Sequence, residues 1–218
     1  LPDRQLACAK IQSPTGQRYL RAMACAANYA WVNRQILMHR AREVIMRVLG
    51  IGPRALGMEL IYDLCHNIAK REEHVVDGRK QVVCVHRKGA TRAFPPGHPS
   101  LAPEFRAVGQ PIIIPGDMGT ASYVLAGTRR AMAETFGSTC HGAGRVLSRT
   151  AAKKKSRGRA IYRELADRGI QVRWTGRETL AEEMPEAYKD VAQVVDVVHG
   201  AGISRKVARL RPMAVVKG

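Results

Sequence analysis

Between Ser13 and Gly50 apolar residues recur at helical spacing, and Leu20, Met23, Ala27, Trp31 and Val32 fall on one stripe. Ser13 stands where an N-cap is expected, Pro14 at the first helical position and Gly50 just past the end. Residues 13–50 therefore read as one long helix or two abutting helices, with the stripe buried and Arg34, Arg40, Arg42 and Arg47 mostly off it. After Gly50-Ile51-Gly52-Pro53 the texture changes. Short apolar runs bounded by Gly and Pro predict strands at Glu59–Asp63, Gln81–His86, Pro111–Pro115 and Ala121–Leu125, and Asp77-Gly78 predicts a tight hairpin turn within Val75–Lys80. A helix over about Arg159–Arg168, a strand over Ile170–Arg173 and a helix over Pro185–Val198 follow. There is no clean βαβ alternation and no internal repeat, so the expected class is α+β, a mixed sheet with helices behind a long N-terminal helical region.

Charge narrows the partners. The 218 residues carry 36 Lys and Arg against 18 Asp and Glu, a formal charge of +18, which points to a polyanion such as RNA, DNA or nucleotide phosphates. Aromatic residues make up 5%, so recognition should run through phosphates more than through base stacking. No apolar stretch approaches the ~20 residues of a spanning helix, and Leu1-Pro2-Asp3-Arg4 resembles neither a signal nor a transit peptide. Cysteines 8, 25, 65, 84 and 140 are scattered and form no C-x-x-C pair, which fits a reducing, cytoplasmic setting with no membrane.

Several loops suit phosphates. In Cys140-His141-Gly142-Ala143-Gly144-Arg145, followed by Ser148 and Arg149, two glycines open backbone N–H groups, a guanidinium supplies a forked cation and an imidazole supplies a nucleophile uncharged near neutral pH. A glycine-closed turn with a surface histidine is the other reading of that segment. In His86–Arg92, Lys88 and Arg92 flank a glycine turn and so suit phosphates. Pro115-Gly116-Asp117-Met118-Gly119-Thr120 is a Gly-bracketed turn lacking the Walker A pattern. His66, at a predicted strand end, suits either a metal or a structural hydrogen bond. Lys153–Arg159 is the densest basic run, either a solvated loop or a nucleic-acid contact. The G-x-S-x-G elbow, the H-E-x-x-H helix and the Rossmann fingerprint are absent.

Taken in order, His66-Asn67-Ile68-Ala69-Lys70, the segment Val85–Pro99 containing Arg87-Lys88-Gly89-Ala90-Thr91-Arg92-Ala93-Phe94-Pro95-Pro96-Gly97-His98, Gly109-Gln110-Pro111, Pro115-Gly116 with Met118–Tyr123, and His141–Arg145 with Ser148-Arg149 closely resemble the RtcB family of RNA-splicing ligases. The match continues through Glu182-Glu183, Tyr188-Lys189, 194–203 and Arg211-Pro212-Met213 to Lys217-Gly218. It implies that 1–218 is the C-terminal portion of a single RtcB-like catalytic domain, with 13–50 helical and 51–218 the mixed catalytic part. The family's first half is expected as a missing partner, supplying an Asp, a Cys and two histidines for manganese and part of the guanine pocket.

The resemblance implies GTP and Mn2+ as cofactors and RNA, as tRNA halves or broken RNA, as substrate. It implies that His141 is guanylylated and passes GMP to an RNA 3′-phosphate for attack by a 5′-hydroxyl, 2′,3′-cyclic ends being opened first. By the same resemblance His66 is a manganese ligand and Asn67 lies near the guanylate. Pro115, Gly116, Asp117, Met118, Ser122, Gly142, Ala143 and Gly144 would line the nucleotide, with Tyr188 and Lys217 beside the guanine. Charge and loop position add Lys88, Arg92, Arg145 and Arg149 as RNA or triphosphate contacts. Asp117 departs from the family's usual Ser, and a carboxylate there is expected to repel phosphates. A non-catalytic basic RNA-binding fragment and, behind it, a metal-dependent phosphoesterase are the competing expectations.

Overall fold

A computed structural model describes residues 2–217. Helix α1 spans Pro14–Leu49 as one element of 36 residues, about 54 Å long. The Ser13 hydroxyl accepts from the Gly16 N–H, and Gly50 closes the other end in the left-handed region, its N–H donating to the Met46 carbonyl. The buried stripe differs from the expectation. Trp31 and Val32 are 43% and 58% exposed, and the seam against the rest of the protein runs through Leu20, Met23, Ala27, Ala30, Arg34, Met38 and Arg42. Two of the arginines expected off the seam lie on it. Arg42 Nε donates to the Met58 carbonyl at 2.8 Å, and Arg34 pairs with Asp63 at 2.8 Å.

Those two contacts also explain a second correction. After the short helix α2, Pro53–Leu56, the predicted strand Glu59–Asp63 makes no ladder; the segment binds α1 through the Met58 carbonyl just before it and the Asp63 carboxylate instead. The strand lies later. β1, Asn67–Val76, and β2, Arg79–Lys88, form an antiparallel hairpin with Asn67 opposite Lys88. Its turn is the predicted one, Asp77 and Gly78 both having positive φ, 49° and 72°. His66 therefore precedes a strand and does not end one.

β3, Ala90–Arg92, is followed by β4, Pro111–Ile114, and β5, Ser122–Gly127, which pair antiparallel. Helix α3, Arg129–Glu134, leads into β6, Ser138–Cys140, which pairs antiparallel with β3 so that Cys140 faces Ala90. Helices α4, Arg149–Lys155, and α5, Ile161–Ala166, precede β7, Gln171–Trp174, and α6, Arg177–Glu182. The predicted helix over Pro185–Val198 is divided: Tyr188 is extended, and Asp190 caps α7, Val191–Gly200. β8, Ser204–Leu210, pairs with β5, and β9, Ala214–Lys217, lies parallel to β7. Small mixed sheets with helices are the α+β arrangement expected. Among the described residues no helix is long and apolar enough to cross a membrane, and all five cysteines are free.

Two apolar cores result. One gathers Ile112, Ile114, Leu125 and Val195 around β4, β5 and α7; the other gathers Met118, Leu165, Val172 and Met184 among α4, α5, α6 and β7. The loop after β4 and the segment after β6 run between them, with Ala121 and Ala143 in the first core and Met118 in the second.

One buried ion pair ties the β1–β2 hairpin to this body. Arg87 is 2% exposed and grips Glu72 with both terminal nitrogens, each at 2.7 Å. Its Nε donates to Ser138 Oγ at 2.9 Å and its Nη2 to the Phe136 carbonyl at 2.8 Å, so β2 is fastened to the start of β6. Burial pushes the Glu72 carboxyl up, but hydrogen bonds and charge from Arg87 outweigh it and hold the group below the ordinary carboxylate range. Its contribution is present above the unfolded carboxyl's pKa and lost as pH falls through the depressed folded value. Glu72→Gln strands the buried guanidinium and should cost about 3–5 kcal/mol, read by denaturant unfolding at neutral pH; a loss below about 1 kcal/mol would show that the pair does not anchor the hairpin.

Candidate active site around two histidines

The β3–β6 ladder delivers His141 to one end of the hairpin. His66, just before β1, lies beside it with ring centroids 5.2 Å apart and planes tilted by 31°. Burial, His141, Arg34 and Lys88 push the His66 imidazole below its ordinary pKa, so it stays neutral near pH 7 with a free lone pair. Gly89 borders His141. A Cβ there would stand 3.5 Å from both Cδ2 and Nε2, in van der Waals contact with the ring, and Gly89 has φ +71°, so a side chain would strain the turn. Gly142 lies against Pro115, whose carbonyl would be 3.5 Å from an added Cβ. Gly144 is also left-handed, at φ +75°, and turns the chain so that its carbonyl accepts from the Lys189 N–H.

The Pro115–Ser122 loop is therefore joined to the His141 segment through Pro115 and Gly142. Ser122 Oγ accepts from the Gly116 N–H at 3.4 Å, and any side chain at 116 would collide with the Ala121 carbonyl. Asp117 is occupied within its own loop. Its Oδ1 accepts from the Gly119 N–H at 2.7 Å and its Oδ2 from the Thr120 hydroxyl at 2.9 Å, so the carboxylate is accommodated by local donors. Met118 is buried in the second core, and its side chain anchors the loop.

Arg145 turns inward. Its Nε donates to the Leu147 carbonyl at 3.0 Å, Nη1 to the Tyr188 hydroxyl at 2.9 Å and Nη2 to the Glu182 carbonyl at 2.6 Å, and its guanidinium lies 4.8 Å from the Tyr188 ring centroid. Glu183 accepts from both Arg145 and Tyr188 and lies 3.6 Å from Lys217 Nζ. One network thus joins Arg145, Tyr188 and Lys217 through a carboxylate that sequence reading had used only as a match marker. Arg92 is likewise engaged, with Gln110 Oε1 at 3.0 Å and Tyr62 at 3.3 Å, while Lys88 is exposed and its charge bears on His66. Arg149 is 73% exposed and loosely paired with Glu182 at 3.5 Å. Within the basic run, Lys153 and Arg159 are bound to carboxylates and Lys154 and Lys155 face solvent.

Arg87 and Gly89 were missed in the sequence. Arg87 did carry a signal, a charged residue one position past the predicted strand Gln81–His86 and in phase with Val83 and Val85. For a metal, His66 fits as a single ligand: among the described residues no three His, Cys, Asp or Glu side chains converge on one point. Burial and the Glu183 carboxylate push the Tyr188 phenol up to about 12. The neutral phenol is the form the fold favours, so its contribution is complete below the ordinary tyrosine pKa and lost as pH rises through the shifted value. Glu183→Gln should bring one tyrosine of an ultraviolet pH titration back toward about 10; an unchanged curve would place the cause elsewhere.

Comparison with known proteins gives the family. A family model described as tRNA-splicing ligase RtcB matches residues 1–218. Relatives named tRNA-splicing ligase RtcB include those of Archaeoglobus fulgidus, 62% identical, and Methanocaldococcus jannaschii, 58% identical, each over 218 residues. A third, from Thermococcus kodakarensis, is 57% identical over 217 residues. All three cover the whole of this chain, which spans 45%, 22% and 45% of their respective lengths. With its whole length matched by the family model and by relatives of 57–62% identity, the chain belongs to the RtcB family.

Proposed function

We propose that this chain is the nucleotidyl-transfer portion of a GTP-dependent RNA ligase that joins 3′-phosphate or 2′,3′-cyclic phosphate ends to 5′-hydroxyl ends, as in tRNA splicing and RNA repair. The observation that carries the reading is the His141 imidazole, bordered by Gly89 and Gly142 and set beside neutral His66. His141 nitrogen attacks the α-phosphorus of GTP; a P–N bond forms, the bond to pyrophosphate breaks, and the ring proton passes to solvent. An oxygen of the RNA 3′-phosphate then attacks the same phosphorus and breaks the P–N bond, and the 5′-hydroxyl displaces GMP. Gly142 and Gly144 leave room for the nucleotide, while Tyr188, fixed by Glu183, and Lys217 hold the guanine side.

A divalent ion such as manganese, when bound, would offset the triphosphate's charge. His66 is this chain's contribution to its ligands; the rest come from the part of the family outside this chain. That missing part is the proposed partner, and large apolar side chains left exposed on α1, such as Tyr29 at 79% and Val48 at 74%, support its docking there. Free thiols support a reducing, cytoplasmic setting. That no three-ligand group forms among the described residues favours, as the second reading, a fragment that binds RNA without reacting.

Labelled GTP and manganese, added with and without the N-terminal part of the Archaeoglobus fulgidus relative, separate the two. The ligase reading predicts covalent label in the complemented chain and none in His141→Ala. Salt-sensitive RNA binding with no label under either condition would establish the second reading. Asp117→Ser should give no gain in labelling, since the carboxylate is held by Gly119 and Thr120. A large gain would show that its charge reaches the nucleotide.

A further inference from the structure

The inward face of β1 continues past the histidine pair as Lys70, Glu72 and His74, and these form one wall of a second cleft of about 880 Å³. Arg92, Phe94 and His98 make the opposite wall, and Arg129 of α3 closes the side. The carboxylates there are already claimed: Glu72 by buried Arg87, and Glu73 by Lys80 at 3.4 Å. Among the described residues Lys70, Arg92 and Arg129 have no carboxylate within ion-pair distance, although Lys70 is half-buried. Arg92 donates only to the neutral groups of Gln110 and Tyr62. A half-buried cation beside a second cation is unfavourable unless an anion joins them. In the same cleft His74 is 3% exposed, and its Nδ1 has no hydrogen-bond partner.

An aromatic surface adjoins these cations. His98 stacks on buried Phe94 with centroids 3.8 Å apart, and Arg92 lies 4.6 Å from the Phe94 centroid. His98 Nδ1 accepts from the Ser100 N–H, so the neutral ring carries its proton on Nε2. Burial and Arg92 keep His98 below its ordinary pKa, leaving an uncharged platform with one donor. The cleft is also linked to the histidine pair along β1, which begins one residue after His66. Lys70 lies three residues beyond Asn67, about 10 Å along the strand, and burial and the charge of Arg92 push its ammonium below its ordinary pKa.

We propose that this cleft carries a single RNA strand away from the reaction centre, with Lys70, Arg92 and Arg129 meeting its phosphates and one base stacked on His98. This deepens the proposed ligase reading and rests on it for the identity of the strand. A groove narrow enough to have β1 on one side and α3 on another suits one strand in preference to a duplex, and the pairing of cations with a neutral ring suits a nucleotide over an acidic peptide.

Fluorescence anisotropy of a labelled single-stranded oligoribonucleotide, titrated with the 218-residue chain at several salt concentrations, tests this. Lys70→Gln and Arg129→Gln should each weaken binding about 3- to 10-fold and flatten the log–log salt slope by about 0.7. His98→Ala should weaken it about 5-fold or more with little change in slope. Lys154→Gln, removing an exposed charge from the basic run, should leave affinity within about 2-fold. Arg129 is exposed at a helix surface, so its variant reads the cleft even if Lys70→Gln fails to fold.

Equal losses in Arg129→Gln and Lys154→Gln, no effect of His98→Ala, equal competition by polyglutamate, or no RNA binding by the wild-type chain would each overturn the proposal. Labelling with GTP is scored in parallel. Normal labelling with unaltered RNA binding in the variants would sink the track alone, whereas cleft-dependent RNA binding without label in the complemented wild type would sink the ligase reading and keep the track.

Discussion

The buried grip of Arg87 on Glu72 decides where the two histidines stand relative to each other. His66 enters β1 at one end of a long hairpin, and His141 leaves a three-residue strand on the main body. A two-stranded hairpin has little rigidity of its own. Because Arg87 also donates to Ser138 and the Phe136 carbonyl, the hairpin is fastened to the strand that delivers His141. The same pair holds Glu72 against Arg87, so among the described residues no carboxylate lies within ion-pair distance of the lysine and arginines of the neighbouring cleft.

A second constraint acts on the nucleotide side. The loop from Pro115 and the segment from His141 thread between two cores, so each is fixed by apolar residues on both sides, Ala121 and Ala143 in one core and Met118 and Leu147 at the other. Polar groups can then be spent on shape. Asp117 folds its own turn, and Arg145 assembles Tyr188 and Glu183 beside Lys217. The forked cation that local sequence assigns to a phosphate works here as a brace, and Lys88, exposed near His66, remains the less encumbered charge.

Legibility followed the range of the interactions. The α1 caps, the Asp77-Gly78 turn, β4 and β5 depend on neighbours within a few residues and were readable, as was the Gly-flanked His141. The orientation of α1 was not, because it rests on Arg34 and Arg42 reaching an extended segment that looked like a strand. β1 was hidden by Lys70-Arg71-Glu72-Glu73, charges that make sense on a strand only once Arg87 is seen beneath Glu72. Arg145 and Glu183 are 38 residues apart, and nothing in local spacing joins them.

The most direct test of the account is the site of covalent modification. After incubation with GTP, manganese and the family's N-terminal part, digestion and tandem mass spectrometry should find one acid-labile guanylyl group, on His141 in the peptide containing Cys140–Arg145. A guanylyl group mapped instead to a lysine such as Lys88 or Lys217, with His141 unmodified, would contradict it.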